Sequence, residues 1–397
     1  MDHDATRGVG AGGGAVEVVA LGESMVTFLP SRPGRLADVP SFERGIGGAE
    51  SNVACVLAAA GHAARWVSRV GADGFGDHLV ETIGGYGVDV SAVRRDPQRP
   101  TGVYFRTAGD RDGDGHEVAY YRAGSAASAM AVGNVDLAAV RAGRVLHLSG
   151  ITAALSDDCL ALLRELTAPG PGRPLVSFDV NFRPSLWGDP DGPGVLLDLA
   201  RRADLVFVGS DEAAAAWGVD ADPRTIRDAL PEPRALVVKQ GAQGATLFER
   251  TYLTEPHTTR DTVTFVPALH VDVVASVGAG DAFAAGFLSA TLRGLPPRER
   301  LRHGHLMAAA ALTAPGDLGT PPARDRADRL AALDDATWGT LRLGPGWTQA
   351  VDQVIDPAVD QGVDQGVDQG VDQGVDQGVD TGADRAVTRA EEEVHHP

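Results

Sequence analysis

Residues 277–287 read Val-Gly-Ala-Gly-Asp-Ala-Phe-Ala-Ala-Gly-Phe and contain the strongest local pattern of the chain. Small residues end a loop, and an apolar helical pattern begins at Asp281. The unpaired amides of a first helical turn point toward such a loop, and the helix dipole favours negative charge there. The stretch therefore predicts an anion-binding helix N-terminus in which no side chain blocks the approach of the anion.

Asp281 has two interpretations at this position. An anion bound by the loop would lie beside this carboxylate, which is unfavourable unless Asp281 accepts the proton of an attacking hydroxyl group. The alternative is an ordinary helix N-cap, which explains an aspartate before an apolar helix without any chemistry. The local stretch leaves both interpretations open.

Outward from this stretch, short apolar runs alternate with longer amphipathic stretches between residue 16 and about residue 347. This alternation indicates an α/β fold with a mostly parallel sheet that is covered on both faces, and ligands bind such sheets beyond the carboxyl ends of the strands. The predicted strands are residues 16–22, 65–70, 144–148, 175–179, 205–208 and 235–239. The predicted helices are residues 50–60, 76–86, 156–166, 210–217, 281–293 and 301–313.

Two segments interrupt the alternation, at about residues 25–45 and 100–122. Both have the pattern of extended chain, and the second contains an Asp- and Gly-rich turn at residues 110–115 that predicts a hairpin. We expect the two segments to form a small sheet that projects over the ligand site as a lid.

The two ends of the chain differ in composition from the rest. Residues 1–14 finish in a glycine run, and residues 348–397 are mainly a repeat of Val-Asp-Gln-Gly. One apolar residue in four cannot offset the entropy of ordering the chain, so both ends are predicted to be disordered and residues 15–347 to form the folded domain. A calcium-binding acidic repeat is the alternative for the tail, although such repeats have longer units.

The composition excludes several classes of partner. The 397 residues include 54 acidic and 35 basic side chains, for a net charge of −19, which argues against binding to nucleic acid or to anionic membranes. No apolar run approaches the length of a membrane-spanning helix. The chain has only two cysteines, so a reducing cytoplasm is the expected compartment.

Further motifs occur in a fixed order along the chain and give the stretch at residues 277–287 a context. Together they resemble the ribokinase-like (PfkB family) sugar kinases, and within that family the 2-keto-3-deoxygluconate kinase branch. The resemblance implies a three-layer α/β/α fold with a mostly parallel central sheet and a small β-sheet lid. The family motifs lie at residues 22–23, 47–54, 71–76 and 278–281, and those of the branch at residues 100–105, 120–128 and 179–187.

The resemblance implies ATP-dependent phosphorylation of the 6-hydroxyl of 2-keto-3-deoxygluconate. Asp281 would be the general base, and the amides of Gly278, Ala279 and Gly280 would stabilise the charge on the transferred phosphoryl group. The carboxylate of this α-keto acid would be held by two guanidinium groups. The implied substrate-binding residues are Gly47, Gly48, Asn52, Tyr104, Tyr120, Arg122 and Arg183.

The same residue types also have structural explanations. Arg122 could be a solvent-facing strand residue, and Asn52 could satisfy the free amides at a helix N-terminus. Tyr104 and Tyr120 could serve only in packing, which is the commoner role of such rings.

The nucleotide side matches the family less well. The family commonly has an asparagine where this chain has Gly209, an aspartate where it has Ala275, and an asparagine where it has His305. The resemblance implies Mg²⁺ as a cofactor, held by Glu212 through water. The residues that it implies for ATP are Asn181, Ser210, Glu212, Lys239, Gly241, Gly244, Gly278, Gly280 and His305.

Two other functions stay open at this point. The first is a kinase of a neutral sugar such as fructose, tagatose or ribose, which would not require two arginines. The second is a nucleotide-binding regulatory protein that has lost catalysis, which the three departures from the family pattern would explain. The expected partners are a sugar acid and ATP, and lid strands with exposed edges suggest a homodimer through the lid.

Overall fold

The computed structural model describes residues 15–107, 117–187, 191–252 and 259–349. The predicted disordered segment 1–14, all but the first two residues of the predicted tail at 348–397, and the turn at 110–115 lie outside the described residues. The boundaries of the predicted folded domain therefore stay a prediction.

The described residues form strands and helices that alternate along most of the chain. The strands are β1 (Val18–Leu21), β2 (Met25–Pro30), β3 (Phe42–Gly47), β4 (Ala64–Val67), β5 (Arg69–Gly71), β6 (Arg94–Asp96), β7 (Val103–Arg106), β8 (Val118–Tyr121), β9 (Val145–Ser149), β10 (Leu175–Asp179), β11 (Leu205–Gly209), β12 (Ala235–Lys239), β13 (Gly244–Tyr252), β14 (Thr259–Pro267), β15 (His270–Val271) and β16 (Arg342–Leu343). The helices are α1 (Ala49–Ala59), α2 (Gly74–Gly85), α3 (Leu137–Val140), α4 (Gly150–Ala153), α5 (Asp157–Thr167), α6 (Gly192–Arg202), α7 (Ser210–Trp217), α8 (Pro223–Ala229), α9 (Ala279–Leu292), α10 (Pro297–Leu312), α11 (Arg324–Ala331) and α12 (Asp335–Thr340).

The central sheet has eight strands in the order β14-β13-β12-β11-β10-β9-β1-β4. The six neighbouring strands β4, β1, β9, β10, β11 and β12 pair in parallel. Strands β13 and β14 form an antiparallel hairpin, which is added next to β12 at one edge. All six strands predicted from the sequence contribute to this sheet. The predicted α/β class with a mostly parallel sheet is confirmed.

Each central strand is buried on both faces, which explains the near-continuous apolar runs. In β1, Val18 and Ala20 pack into one core cluster, while Val19 and Leu21 pack into the other. Helices α1, α9 and α10 cover the first face, and α5, α6 and α8 cover the second. The result is the three-layer architecture that the resemblance implied.

A second, four-stranded sheet has the order β3-β2-β7-β8 and is made from the two segments that interrupt the alternation. Strand β2 pairs antiparallel with β3 and parallel with β7, and β7 pairs antiparallel with β8. Since β2 begins four residues after the end of β1, the small sheet starts at the carboxyl edge of the central sheet. The predicted small sheet is therefore present.

The structure also differs from the predicted elements. The run at residues 65–70 forms two strands, because the chain leaves the central sheet at Ser68 and β5 pairs with β6. An ion pair of 2.8 Å between Arg69 and Asp96 stabilises the pairing of β5 with β6. The local sequence of residues 65–70 does not reveal this contact with a distant segment. Helix α6 was not predicted because its Gly-Pro-Gly start is typical of a loop. No helix in the described part of the chain is long and apolar enough to cross a bilayer.

Candidate active site

A cavity of about 390 Å³ lies at the carboxyl ends of the parallel strands, and residues of the small sheet form part of its wall. It brings together every residue that was predicted to bind the substrate and most of those predicted to bind the nucleotide. The predicted residues that line it are Gly47, Gly48, Asn52, Tyr104, Tyr120, Arg122, Asn181, Arg183, Ser210, Glu212, Lys239, Gly241, Gly278, Gly280 and Asp281.

Three predicted residues are absent from the cavity wall. Ala279 lies in the first turn of α9, between two residues that do line the cavity. Gly244 begins β13 at a φ of 139°, where a Cβ atom would overlap the backbone oxygen of Val266. Its conformation explains the glycine without a ligand, so its contact with ATP stays a prediction.

His305 is a buried residue of α10 that packs in the core next to α9. Its Nε2 lies 3.2 Å from the backbone oxygen of Val266, and its ring centroid is 5.2 Å from that of Phe283. Burial lowers the pKa of His305 to about 4, so the ring is neutral. These contacts account for His305 as a core residue, and its contact with the adenine base stays a prediction.

Asp281 is not the N-cap of its helix. Helix α9 begins at Ala279, and its N-cap is Gly278, which provides no side-chain cap. Gly278 has a φ of 79°, and a Cβ atom there would overlap the backbone oxygen of Asp317. Only glycine combines this left-handed conformation with such a close approach. The first amides of α9 are therefore not capped by a preceding side chain.

The Asp281 carboxylate is held from α1. The Asn52 side-chain amide donates a hydrogen bond of 2.9 Å to Asp281 Oδ2. Burial, with a contribution from Asp179, raises the pKa of Asp281 to about 6, although Asn52 and the nearby cations Lys239 and Arg183 oppose the shift. Asp281 is therefore ionised at neutral pH and has the raised pKa that suits a general base.

Lys239 places a positive charge beside the first turn of α9. Its Nζ lies 2.8 Å from Asp179 Oδ2 and would be 3.4 Å from a Cβ atom built on Gly280. Burial alone would lower the pKa of Lys239, but the carboxylates of Asp179 and Glu212 raise it. The lysine therefore stays charged next to the predicted anion site.

Glu212 connects the ends of two neighbouring strands. Its Oε1 accepts a hydrogen bond from the amide of Phe182 after β10, and its Oε2 accepts one of 2.9 Å from the amide of Gly209 at the end of β11. Burial raises the pKa of Glu212. Since Gly209 offers only its backbone here, Glu212 supplies the polar side chain at this strand end.

Both predicted arginines lie in the cavity wall, but their environments differ. Arg183 donates hydrogen bonds to Asn181 Oδ1 at 2.8 Å and to the Phe182 oxygen at 3.0 Å. Asn181 has a φ of 45°, and no other non-glycine residue among those described has a positive φ. Arg122 is ion-paired with the buried Glu23, so it is not a solvent-facing strand residue.

Asp317 is a cavity residue that the sequence analysis missed. Its Oδ2 accepts a hydrogen bond of 2.9 Å from the Tyr104 hydroxyl, and Arg106 lies 3.5 Å from Oδ1. A Cβ atom on Gly47 would lie 2.5 Å from Asp317 Oδ2, which explains that glycine. The one feature of the sequence that could have indicated Asp317 is an acidic residue in a Gly- and Pro-rich loop after α10.

Two carboxylates beside Lys239 are candidate ligands for a magnesium ion, and of these only Glu212 lines the cavity. Asp179 Oδ1 is buried and has no hydrogen-bond partner, and the carboxylate of Glu212 is near the same lysine. Within the described ranges, no group of three or more His, Cys, Asp and Glu residues could hold a metal ion. Mg²⁺ binds through one or two carboxylates and completes its coordination with waters and substrate phosphates.

Comparison with known proteins decides the family. Residues 16–324 match the model of the pfkB family carbohydrate kinases. The chain belongs to this family. It is therefore a carbohydrate kinase, as the ordered motifs indicated.

Relatives of this kinase act on different sugars. A 2-dehydro-3-deoxygluconokinase of Bacillus subtilis (strain 168) is 35% identical over 78% of this chain and 94% of its own length. Fructokinase-2 of Zea mays is 33% identical over 68% of this chain and 78% of its own length. Among solved structures, a PfkB protein from Polaromonas sp. JS666 is 33% identical, with a TM-score of 0.67, over 79% of this chain and 99% of its own.

Beneath the cavity of this kinase lies a fully buried acid, Glu50. Its Oε1 accepts hydrogen bonds of 2.7 Å from the hydroxyls of Ser149 and Thr152, while its Oε2 is buried without a hydrogen-bond partner. Burial raises the pKa of Glu50 to about 7, and Asp281 contributes to the shift. Glu50 is therefore protonated at mildly acidic pH.

Glu50→Gln should become more stable relative to the unmodified chain as pH rises from 5 to 8. The folded state keeps the Glu50 proton up to about pH 7, whereas the unfolded state releases it near 4.5, so stability is lost as pH rises through this window. The change is on the order of 3 kcal/mol. Urea unfolding at several pH values measures it, with Glu81→Gln on the surface of α2 as the control. A stability difference that is independent of pH would contradict this ionisation of Glu50.

Proposed function

We propose that this carbohydrate kinase transfers the γ-phosphoryl group of ATP to the 6-hydroxyl of 2-keto-3-deoxygluconate or a close sugar acid. One observation carries the proposal: a single cavity contains Asp281 at the N-terminus of α9 together with Arg122 and Arg183. A hydroxyl group and a carboxylate of one small molecule could therefore be bound at the same time.

The chemistry at the hydroxyl end follows from the position of Asp281. The substrate hydroxyl gives its proton to the Asp281 carboxylate, its oxygen forms the new bond to the γ-phosphorus, and ADP leaves. The amides of Gly278, Ala279 and Gly280 stabilise the charge of the transferred group, with Lys239 as a second source of positive charge. No covalent enzyme intermediate is required.

The other end of the cavity recognises the sugar acid. Arg122 and Arg183 hold its carboxylate, since a guanidinium fork matches carboxylate geometry. Tyr104 and Tyr120 provide ring faces and hydroxyl groups, and Asn52 adds an amide next to the base. Gly47 and Gly48 line the cavity, and besides their close contacts with the protein they would leave the ligand room to approach the backbone.

The nucleotide end contains Asn181, Ser210, Glu212 and Gly241 in the cavity wall. Glu212 would hold Mg²⁺ through water. The ion would neutralise phosphate charge during transfer.

A kinase of a neutral sugar such as fructose is the second candidate. Its support is the similarity of the chain to fructokinase-2 of Zea mays. Arg183 favours the sugar acid, because it lines the cavity and its ion pair with Glu212 is long, at 3.8 Å. A third hypothesis, a regulatory protein that has lost catalysis, is not supported, because the chain belongs to a family of carbohydrate kinases and retains Asp281.

Asp281→Asn should lower kcat by ~100-fold or more, because the amide cannot accept the proton of the substrate hydroxyl. In the unmodified enzyme the rate should fall with an apparent pKa of about 6 as pH decreases, since Asp281 must be ionised. A coupled ADP-release assay between pH 5 and 8 measures both effects, with Asp228→Asn on α8 as the control. If Asp281→Asn keeps most of the rate, Asp281 is not the base.

Arg183→Gln should lower kcat/KM for 2-keto-3-deoxygluconate by ~10- to 100-fold, because a charge-assisted hydrogen bond to the carboxylate is lost. Turnover of a neutral ketose should change little. The measurement is a panel of sugar acids and neutral sugars with the unmodified enzyme, Arg183→Gln and the surface control Arg201→Gln. Higher kcat/KM for fructose than for every sugar acid would support the neutral-sugar kinase instead.

We also propose that two copies of the chain associate through the small sheet. Phe28 and Phe105 stack at 4.7 Å between ring centroids, and Tyr121 on the edge strand β8 is 65% exposed. The edge of β8 and this ring would be covered by the same surface of a second copy.

Tyr121→Glu should weaken the dimer, because a charge would be buried in the contact. Sedimentation over a range of concentrations measures the effect, and Tyr86→Glu at the end of α2 is the control. A monomer at all concentrations for the unmodified chain would contradict this association.

A further inference from the structure

Glu23 lies just beyond the carboxyl end of β1, and its side chain is only 1% exposed. Its Oε2 is ion-paired with Nη2 of Arg122, and its Oε1 accepts a hydrogen bond of 2.5 Å from the Ser125 hydroxyl. Arg122 lines the cavity, whereas Glu23 does not. The glutamate therefore contacts the arginine from behind the cavity wall.

The surroundings of the pair restrict the guanidinium group. A Cβ atom on Gly102 would lie 3.0 Å from Glu23 Oε1 and 3.5 Å from Arg122 Cβ, so the glycine makes room for both side chains. The guanidinium carbon is also 5.9 Å from the centroid of the Tyr120 ring, within the range of a cation–π contact. Arg122 is thus held between a carboxylate and an aromatic face.

One donor of the arginine is unused. The Arg122 side chain is only 10% exposed, and its Nε is buried with no hydrogen-bond partner among the described residues. A buried donor without a partner is unfavourable. Because this Nε is enclosed by protein, only the terminal nitrogens of the Arg122 guanidinium group are available to a ligand in the cavity.

We propose that Glu23 is a positioning residue that orients Arg122 toward the carboxylate of a sugar-acid substrate and so contributes to specificity for sugar acids. This inference rests on the proposed function. An arginine side chain has many rotamers, and the Glu23 contact selects one of them before the substrate binds. Glu23 acts through Arg122 and does not itself contact the substrate.

The test measures steady-state kinetics of the full chain with 2-keto-3-deoxygluconate and ATP. Glu23→Gln keeps the size of the side chain but removes the charge that holds Arg122. We expect KM for the sugar acid to rise ~10- to 100-fold, while kcat and KM for ATP change by less than about threefold. A KM for the sugar acid equal to that of the unmodified chain would overturn the inference.

A double-mutant cycle separates positioning from a general structural effect. If Glu23 acts through Arg122, adding Glu23→Gln to Arg122→Gln should change KM by less than about twofold. Additive effects of the two substitutions would show that Glu23 acts by another route and would overturn the proposal. In a folded Glu23→Gln, a fall in kcat and a rise in KM for ATP as large as the rise in KM for the sugar acid would overturn it as well, because such an effect is not specific to the carboxylate.

Ser125→Ala is a milder second variant, in case Glu23→Gln does not fold. It removes the hydroxyl that holds the Glu23 carboxylate and should raise KM for the sugar acid by ~3-fold. If Glu23→Gln does not fold, an unchanged KM in Ser125→Ala would overturn the inference. Glu249→Gln is the matched control, since it breaks a 2.8 Å pair with Arg300 outside the cavity wall and should leave KM unchanged.

The failure of the inference and the failure of the proposed function can be told apart. If the unmodified chain turns over no sugar acid, the proposed function is overturned and the inference with it. If a folded Glu23→Gln has an unchanged KM for the sugar acid, only the inference is overturned.

Discussion

The hydrogen bond from Asn52 to Asp281 connects the two helices on which the site depends. Helices α1 and α9 pack on the same face of the central sheet, and each contributes its first turn to the cavity. Burial alone would raise the pKa of Asp281, and the hydrogen bond from Asn52 opposes this shift while it restrains the carboxylate. The N-terminus of α9 also favours the ionised form. Without it, Asp281 would lose one restraint on its position, and the pKa of its carboxyl group would be higher.

Three buried acids in or next to the cavity wall each have a compensating partner. Asp179 is paired with Lys239, Glu23 is paired with Arg122, and Glu212 accepts two backbone amides. Buried ions need partners because desolvation is costly. The same pairing fixes the side chains that face the cavity, so their geometry exists before a ligand arrives, which is how electrostatic catalysis is most effective.

The parallel sheet and the positions of the main site residues could be predicted because they depend on local patterns. Strands β10 and β12 come from short, mainly apolar runs, and the glycines around Asp281 mark a helix start directly in the sequence. Asp317 and the partner of Arg122 could not be predicted, since both depend on contacts between segments far apart in the chain. The role predicted for His305 rested on its place in a motif, whereas the structure gives it core contacts with Val266 and Phe283.

The central claim is that one substrate molecule joins the arginines to Asp281. A crystal structure of the enzyme with 2-keto-3-deoxygluconate and a non-hydrolysable ATP analogue tests it most directly. The account predicts the 6-hydroxyl within hydrogen-bond distance of Asp281 and the substrate carboxylate against the guanidinium groups of Arg122 and Arg183. A sugar acid bound in the opposite orientation, or bound away from Asp281, would contradict it.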